Sequence, residues 1–214
     1  MKTLLFYRIL GMIKNTGADW DRLAPAKENA IDFAHININP EPVRMIDSYR
    51  FSWEYCLAHS GESLNEHLRE DRTNKEDIAI SDMVSTHSCK NDLVLYRGVC
   101  DYVYDLMIQN AAPLEGVDFY EKGYMQCSLI KGQEINSKIK LRIFVPAGSC
   151  VIYLGNVNDE QHYYEVDIQH GAKLKLISID QTYINCNCFL RSEDFIFAPF
   201  LVRPSAEKIQ NFLK

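Results

Sequence analysis

Glycine and proline are scarce in this 214-residue chain, 10 and 7 respectively, which excludes collagen-like repeats and Pro/Gly-rich low-complexity sequence. No stretch approaches the roughly 20 consecutive apolar residues that a membrane-spanning helix needs. A basic excess is also missing. The 23 Lys and Arg stand against 29 Asp and Glu, a net charge of −6, so counterion release at a nucleic-acid backbone is not the main activity. A compact anion can still meet a local basic site. An even set of cysteines is lacking too: Cys56, Cys89, Cys100, Cys127, Cys150, Cys186 and Cys188 are odd in number and scattered, which suits reduced thiols and a reducing compartment. Lys2 followed by Leu4, Leu5, Phe6 and Tyr7 imitates a signal peptide, but Arg8 splits the apolar run and no clean small-x-small site follows. What remains, 47% hydrophobic and 24% charged, is the composition of an ordinary folded chain. Its length suits one domain, residues 1–214, able to bury a real core.

Helix signals concentrate before Lys90 and strand signals after it, so residues 1–90 read as mainly helical and 91–214 as a β-rich core. No internal repeat is visible. Apolar residues recur at three- and four-residue intervals over Met45 to Ala58, and a second helix is expected around Glu62 to Glu70, with Leu64 and Leu68 on one stripe and Asn65 and Arg69 on the next. Thr73 and Glu76 have capping-box spacing ahead of Ile78, Met83 and Val84, which predicts a third helix. Strands are expected at Leu93–Tyr96, Tyr124–Leu129, Leu141–Val145, Val151–Leu154, Tyr163–Ile168, Leu174–Ile179 and Phe195–Ala198, with turns at Pro146, Gly148 and Gly171. The fold class is therefore α+β, with helices beside a two-sheet β core.

Two residues stand out chemically. Strand alternation sends Val166 and Ile168 inward with Tyr164, and puts Glu165 on an accessible face with Tyr163 and Asp167. Arg97 ends an apolar strand and is followed by Gly98; a guanidinium there suits a phosphate or carboxylate, although each of these residues alone reads as a solvated surface group or surface ion pair.

In order, the chain presents Leu95-Tyr96-Arg97-Gly98, Gly123-Tyr124-Met125-Gln126-Cys127-Ser128-Leu129, and Tyr163-Tyr164-Glu165-Val166-Asp167-Ile168 with a turn glycine at Gly171. This succession resembles the R-S-E class of mono-ADP-ribosyltransferases, the bacterial exoenzyme and toxin type. That family has an arginine at the end of its first core strand, a Ser-Thr-Ser-like strand and a Glu/Gln-x-Glu strand. Leu141 to Gly148 is similar to the family's strand ending in Val-Pro-x-Gly, and Leu64-Asn65-Glu66-His67-Leu68-Arg69 to its helical Ile-Asn-x-x-Leu-Arg segment. The resemblance covers roughly Ser60 to Ile179.

The resemblance implies NAD as co-substrate and transfer of ADP-ribose to a protein side chain, Thr, Ser or Arg. It implies Glu165 as catalytic glutamate, with Ser128 and Gln126 in the middle motif. Arg97 and Arg69 would hold the diphosphate, Gly98 and Asn65 would approach the dinucleotide, and Tyr163 and Tyr164 would stand at the acceptor side. The segment from Gly155 to Tyr164 would meet a protein acceptor, with its acidity suiting a basic partner surface. No nucleic acid, membrane or metal is implied. The setting is a secreted effector or toxin subunit acting in a host cytoplasm, otherwise a cytoplasmic protein. There are two departures from the family. Gln126 stands where the family has its first serine, and its amide can make the same hydrogen bond. Tyr163 stands where the family has Glu or Gln, so the usual rule for the acceptor fails. A different reading is a catalytically silent member kept for binding a partner or nucleotide. Cys186-x-Cys188 is too small a set for zinc and reads as buried thiols; Cys56 near His59 lacks the partners of a thiol hydrolase.

Overall fold

The computed structural model describes residues 5–10, 16–40, 56–57, 64–155 and 163–189. In chain order these include α1 (Thr16–Asp21), a 3-10 turn (Lys27–Asn29), α2 (Ala30–Asn37), α3 (Leu64–Arg69) and α4 (Lys75–Ser85). There follow β1 (Leu93–Val99), α5 (Asp101–Ala111), β2 (Phe119–Tyr120), β3 (Met125–Ser128) and β4 (Ile139–Val145). The chain continues through β5 (Val151–Gly155), β6 (Glu165–Ile168), β7 (Lys173–Ile179) and β8 (Ile184–Phe189). The class is α+β. No described helix is long and apolar enough to cross a membrane.

All eight strands join one hydrogen-bonded sheet in the order β2-β7-β8-β4-β1-β3-β6-β5. The expected two-sheet division survives only as a narrow junction. β1 pairs with β4 continuously from Leu93↔Val145 to Val99↔Ile139, but meets β3 at the single pair Tyr96↔Ser128. A five-stranded part thus hands over to a three-stranded part at one residue. The main core gathers Leu93, Leu95, Leu141, Ile143, Val166 and Ile168. A second core of Leu64, Leu68, Ile80, Val84, Tyr124, Ile152 and Leu154 packs α3 and α4 against the other face of the three-stranded part. Each such aliphatic side chain contributes about 1.5–3 kcal/mol on full burial.

Several expectations need correction. The α4 capping box is Asn74 with Asp77, one residue beyond the predicted Thr73 and Glu76. The Asn74 side chain accepts from the Glu76 and Asp77 amides at 2.8 and 2.9 Å, and Asp77 accepts from the Asn74 amide at 2.9 Å. His67 on α3 bonds the same Asp77 carboxylate at 2.9 Å, which fixes the register so that Ile80 and Val84 face inward while Ile78 and Met83 are exposed. Within the β-rich part, α5 was not expected; its Tyr104, Met107, Ile108 and Ala111 form a buried stripe at helical spacing. Strand β8 was missed as well, because its Cys186 and Cys188 read only as thiols; both are buried core residues. Tyr104 and Tyr124 are core aromatics, whereas Tyr102 is exposed. The predicted strand at Phe195–Ala198, most of the predicted helix over Met45–Ala58, and His59 lie outside the described residues.

Candidate active site

The i, i+4 spacing on α3 aims Asn65 and Arg69 at the segment leading into β3. The Asn65 amide donates to the Tyr124 carbonyl at 3.2 Å and its oxygen accepts from the Tyr124 amide at 2.6 Å. A Cβ on Gly123 would lie 2.6 Å from that same oxygen, so only glycine lets the helix come this close. Asn65 is buried and bonded to backbone at both ends of its amide, which makes it a staple between α3 and β3.

Arg69 forks onto Glu121: Nε donates to Oε1 and Nη2 to Oε2, each at 3.0 Å. Arg97, from β1, donates through Nη2 to the same Oε2 at 3.4 Å and through Nη1 to the Tyr124 carbonyl at 3.5 Å, while its buried Nε has no well-formed hydrogen bond among the described residues. The Gly123 amide donates to Glu121 Oε1 at 2.9 Å. Arg97 is 7% exposed and Glu121 1%, so this is a buried cluster and the surface ion-pair reading of Arg97 is wrong. Sequence reading missed Glu121, whose signal was an acid two positions before the glycine of the middle motif. Gly98 has a packing reason to be glycine, since a Cβ there would collide with the Ile135 carbonyl; close approach of a ligand is not needed to explain it.

The second group lies along β3 and β6, whose register sets Gln126 opposite Asp167 and Ser128 opposite Glu165. Gln126 Nε2 donates to Glu165 Oε1 at 3.3 Å, so the glutamine does make the serine-like hydrogen bond. Ser128 is different. Its hydroxyl donates to the Tyr163 carbonyl at 2.7 Å and accepts from the Ile130 amide at 3.0 Å, and the residue is 1% exposed. It ties the start of the glutamate strand to the loop after β3.

Alternation along β6 holds only from Glu165. Tyr164 has φ of 50°, its carbonyl accepts from the Leu129 amide at 3.1 Å, and its ring packs on the main core. Tyr163 keeps partial exposure. Asp167 shares the face of Glu165 but is fully buried, with neither oxygen held by a well-formed hydrogen bond; the expected accessible face is covered by the second core. Burial pushes the Glu165 carboxyl up to about 7, against the opposing influence of Gln126 and Asp167. Asp167 is raised well above the carboxylate range by its burial and then by the Glu165 charge, with Arg97 opposing. A carboxyl poised near neutrality beside a buried neutral acid is the kind of perturbation that marks functional sites. Residues 156–162, most of the expected acceptor loop, lie outside the described set. Among the described residues no three His, Cys, Asp or Glu side chains gather as a metal site.

Two arginines paired on one buried carboxylate, and a glutamate raised toward neutrality, lie at the two ends of one short strand, an arrangement that fits the site expected of a dinucleotide-dependent transferase. Residues 53–188 match the ADP-ribosyltransferase exoenzyme family, and the chain belongs to that family. No curated protein sequence matches it. The fold is similar to that of C3stau2 from S. aureus, solved with NAD, at a TM-score of 0.56 and 16% identity over 78% of this chain and 97% of that one. It is also similar to an ADP-ribosyltransferase from Clostridium botulinum, at a TM-score of 0.53 and 15% identity over 78% of this chain and 96% of that one. A third likeness, to the ADP-ribosylating toxin BECa of C. perfringens solved with NADH, has a TM-score of 0.52 and 17% identity over 76% of this chain and 48% of that one.

Proposed function

We propose that the protein is an NAD-dependent mono-ADP-ribosyltransferase that modifies a protein side chain. The observation that carries this reading is the arrangement along β3. The buried Arg97 and the half-buried Arg69 share one carboxylate before the strand, and Gln126 within it orients Glu165. Two cations against one carboxylate leave net positive charge, and Arg97 Nε finds no well-formed acceptor among the described residues; a diphosphate supplies the missing negative charge. The NAD and NADH held by structural neighbours support the choice of dinucleotide.

NAD supplies a nicotinamide–ribose bond whose cleavage builds positive charge on the ribose. Arg97 and Arg69 hold the diphosphate. Glu165, ionised, stabilises the developing cation, a preorganised effect of roughly 3–4 kcal/mol. Gln126 keeps that carboxylate aimed, while Ser128 and Asn65 fix the strand and helix that carry the charged groups. Tyr163 faces the acceptor side. A phenol does not pair with a guanidinium as a glutamate does, and it donates to and accepts from a small hydroxyl, so Thr or Ser is the acceptor before Arg, with Glu165 taking the hydroxyl proton. The acceptor is a host protein with a basic surface facing residues 155–164, and the protein acts as a secreted effector or toxin.

A catalytically silent binder is the competing reading, and the Gln126–Glu165 hydrogen bond counts against it. Purified protein is expected to release nicotinamide from NAD. Incubation of a host-cell lysate with labelled NAD, followed by fragmentation mass spectrometry, is expected to place ADP-ribose on Thr or Ser in a linkage that resists hydroxylamine. Absence of both nicotinamide release and labelling overturns the enzyme reading; labelled arginine overturns the acceptor.

A further inference from the structure

Glu121 belongs to no motif, yet it collects more hydrogen bonds than any catalytic candidate. Its Oε1 accepts from Arg69 Nε and the Gly123 amide, and its Oε2 from Arg69 Nη2 and Arg97 Nη2. Each guanidinium has five N–H donors. Among the described residues Arg69 spends two on Glu121, and Arg97 spends one there and one on Tyr124, so both guanidiniums keep N–H groups for a ligand. The fork engages the Nε edge of Arg69 and leaves Nη1 uncommitted. Without the carboxylate, two like charges would share a buried space and repel.

We propose that Glu121 is the positioning residue of the anion site: it holds the Arg69 and Arg97 guanidiniums together as a preformed diphosphate clamp. The inference rests on the NAD reading above and deepens it. The opposite role, a carboxylate plug that the diphosphate must displace, fits the geometry poorly. Glu121 is 1% exposed and is anchored by the Gly123 amide as well as by both arginines, so leaving would strip a carboxylate of four donors. The ligand therefore binds the remaining N–H groups with Glu121 in place. Clamping sets affinity, because the arginines arrive already ordered. It does not set the rate of bond cleavage, which belongs to Glu165.

The test compares wild type, Glu121→Gln and Glu121→Asp in calorimetric titrations with NAD and with ADP, alongside nicotinamide release. ADP carries the diphosphate without the reacting bond. Glu121→Gln is expected to raise the Kd of both ligands and the KM for NAD about tenfold or more, with kcat within about threefold, because neutralising the clamp loses charge-assisted pairing but leaves Glu165 untouched. Glu121→Asp keeps the charge on a shorter stem and is expected to recover part of the loss. A role in folding alone would lower the melting temperature and leave Kd and KM where they are. Unchanged or tighter ADP binding by folded Glu121→Gln overturns the proposal. Should that variant not fold, Glu121→Asp decides: a Kd for ADP raised threefold or more supports the clamp, and an unchanged Kd overturns it. Failure of the transferase reading looks different, since wild type would then bind ADP with no nicotinamide released from NAD.

Discussion

Raising the pH through neutrality is expected to switch the activity on and loosen the fold together, both through Glu165. Burial moves this carboxyl from 4.5 to about 7, and each pH unit corresponds to about 1.4 kcal/mol, so holding it ionised in the folded protein costs up to about 3 kcal/mol. The carboxylate form amounts to about one tenth at pH 6 and about nine tenths at pH 8. Nicotinamide release, read as kcat/KM, is therefore expected to rise about tenfold between those values.

The stability effect has the opposite sense. A carboxyl whose folded-state pKa lies above its unfolded value contributes stability that is fully present below about 4.5 and is lost as the pH rises through about 7. Glu165→Gln, which never ionises, keeps that stability. At about 2–4 °C per kcal/mol for a chain of this size, the variant is expected to melt roughly 6–12 °C above wild type at pH 8 and level with it at pH 4.5, while losing on the order of 100-fold or more in turnover. The assays are steady-state nicotinamide release from pH 5.5 to 8.5 and thermal melts of both proteins across pH 4.5 to 8. A flat kcat/KM between pH 6 and 8, together with a Gln variant no more stable at pH 8, would refute the assignment of a half-buried, poised Glu165.

Two further outcomes follow from the buried charges. Arg97→Ala is expected to weaken NAD binding at least tenfold by calorimetry and Arg97→Lys to restore only part, because an ammonium cannot reach Glu121, the Tyr124 carbonyl and a diphosphate at once; unchanged affinity in Arg97→Ala moves the anion site elsewhere. Asp167→Asn exchanges one neutral buried group for another, so the acid midpoint of activity should stay where it is while the loss of stability on raising the pH lessens; a downward shift of that midpoint would show that Asp167 is ionised beside Glu165.

How much of this was legible in the sequence depends on what each signal encodes. Periodicity encodes a face, and it placed Asn65 and Arg69 on one helical stripe and Glu165 opposite Val166 and Ile168, as found. It does not encode what covers that face. Asp167 read as accessible because alternation cannot foresee that α3 and α4 close over the three-stranded part with Leu64, Leu68, Ile80 and Val84. Local propensity left α5 unread, since Tyr102, Val103, Tyr104 and Ile108 are residues that favour strands, yet Tyr104, Met107 and Ile108 bury on one helical face. Motif order found Arg97, Ser128 and Glu165 but assigned them work by type. The structure separates them by partner: Ser128 spends its hydroxyl on backbone, whereas Glu165 receives the Gln126 side-chain amide on Oε1. Glu121 was invisible because its meaning is wholly non-local. It lies 52 residues from Arg69 and 24 from Arg97, and only the single-residue junction of β1 and β3, with the Asn65 staple across Gly123, brings those three side chains together. The glycine and the asparagine are thus as necessary to the Arg69–Glu121–Arg97 cluster as the arginines, since a bulkier residue at Gly123 would press on Asn65 and lift α3, and Arg69 with it, off the carboxylate.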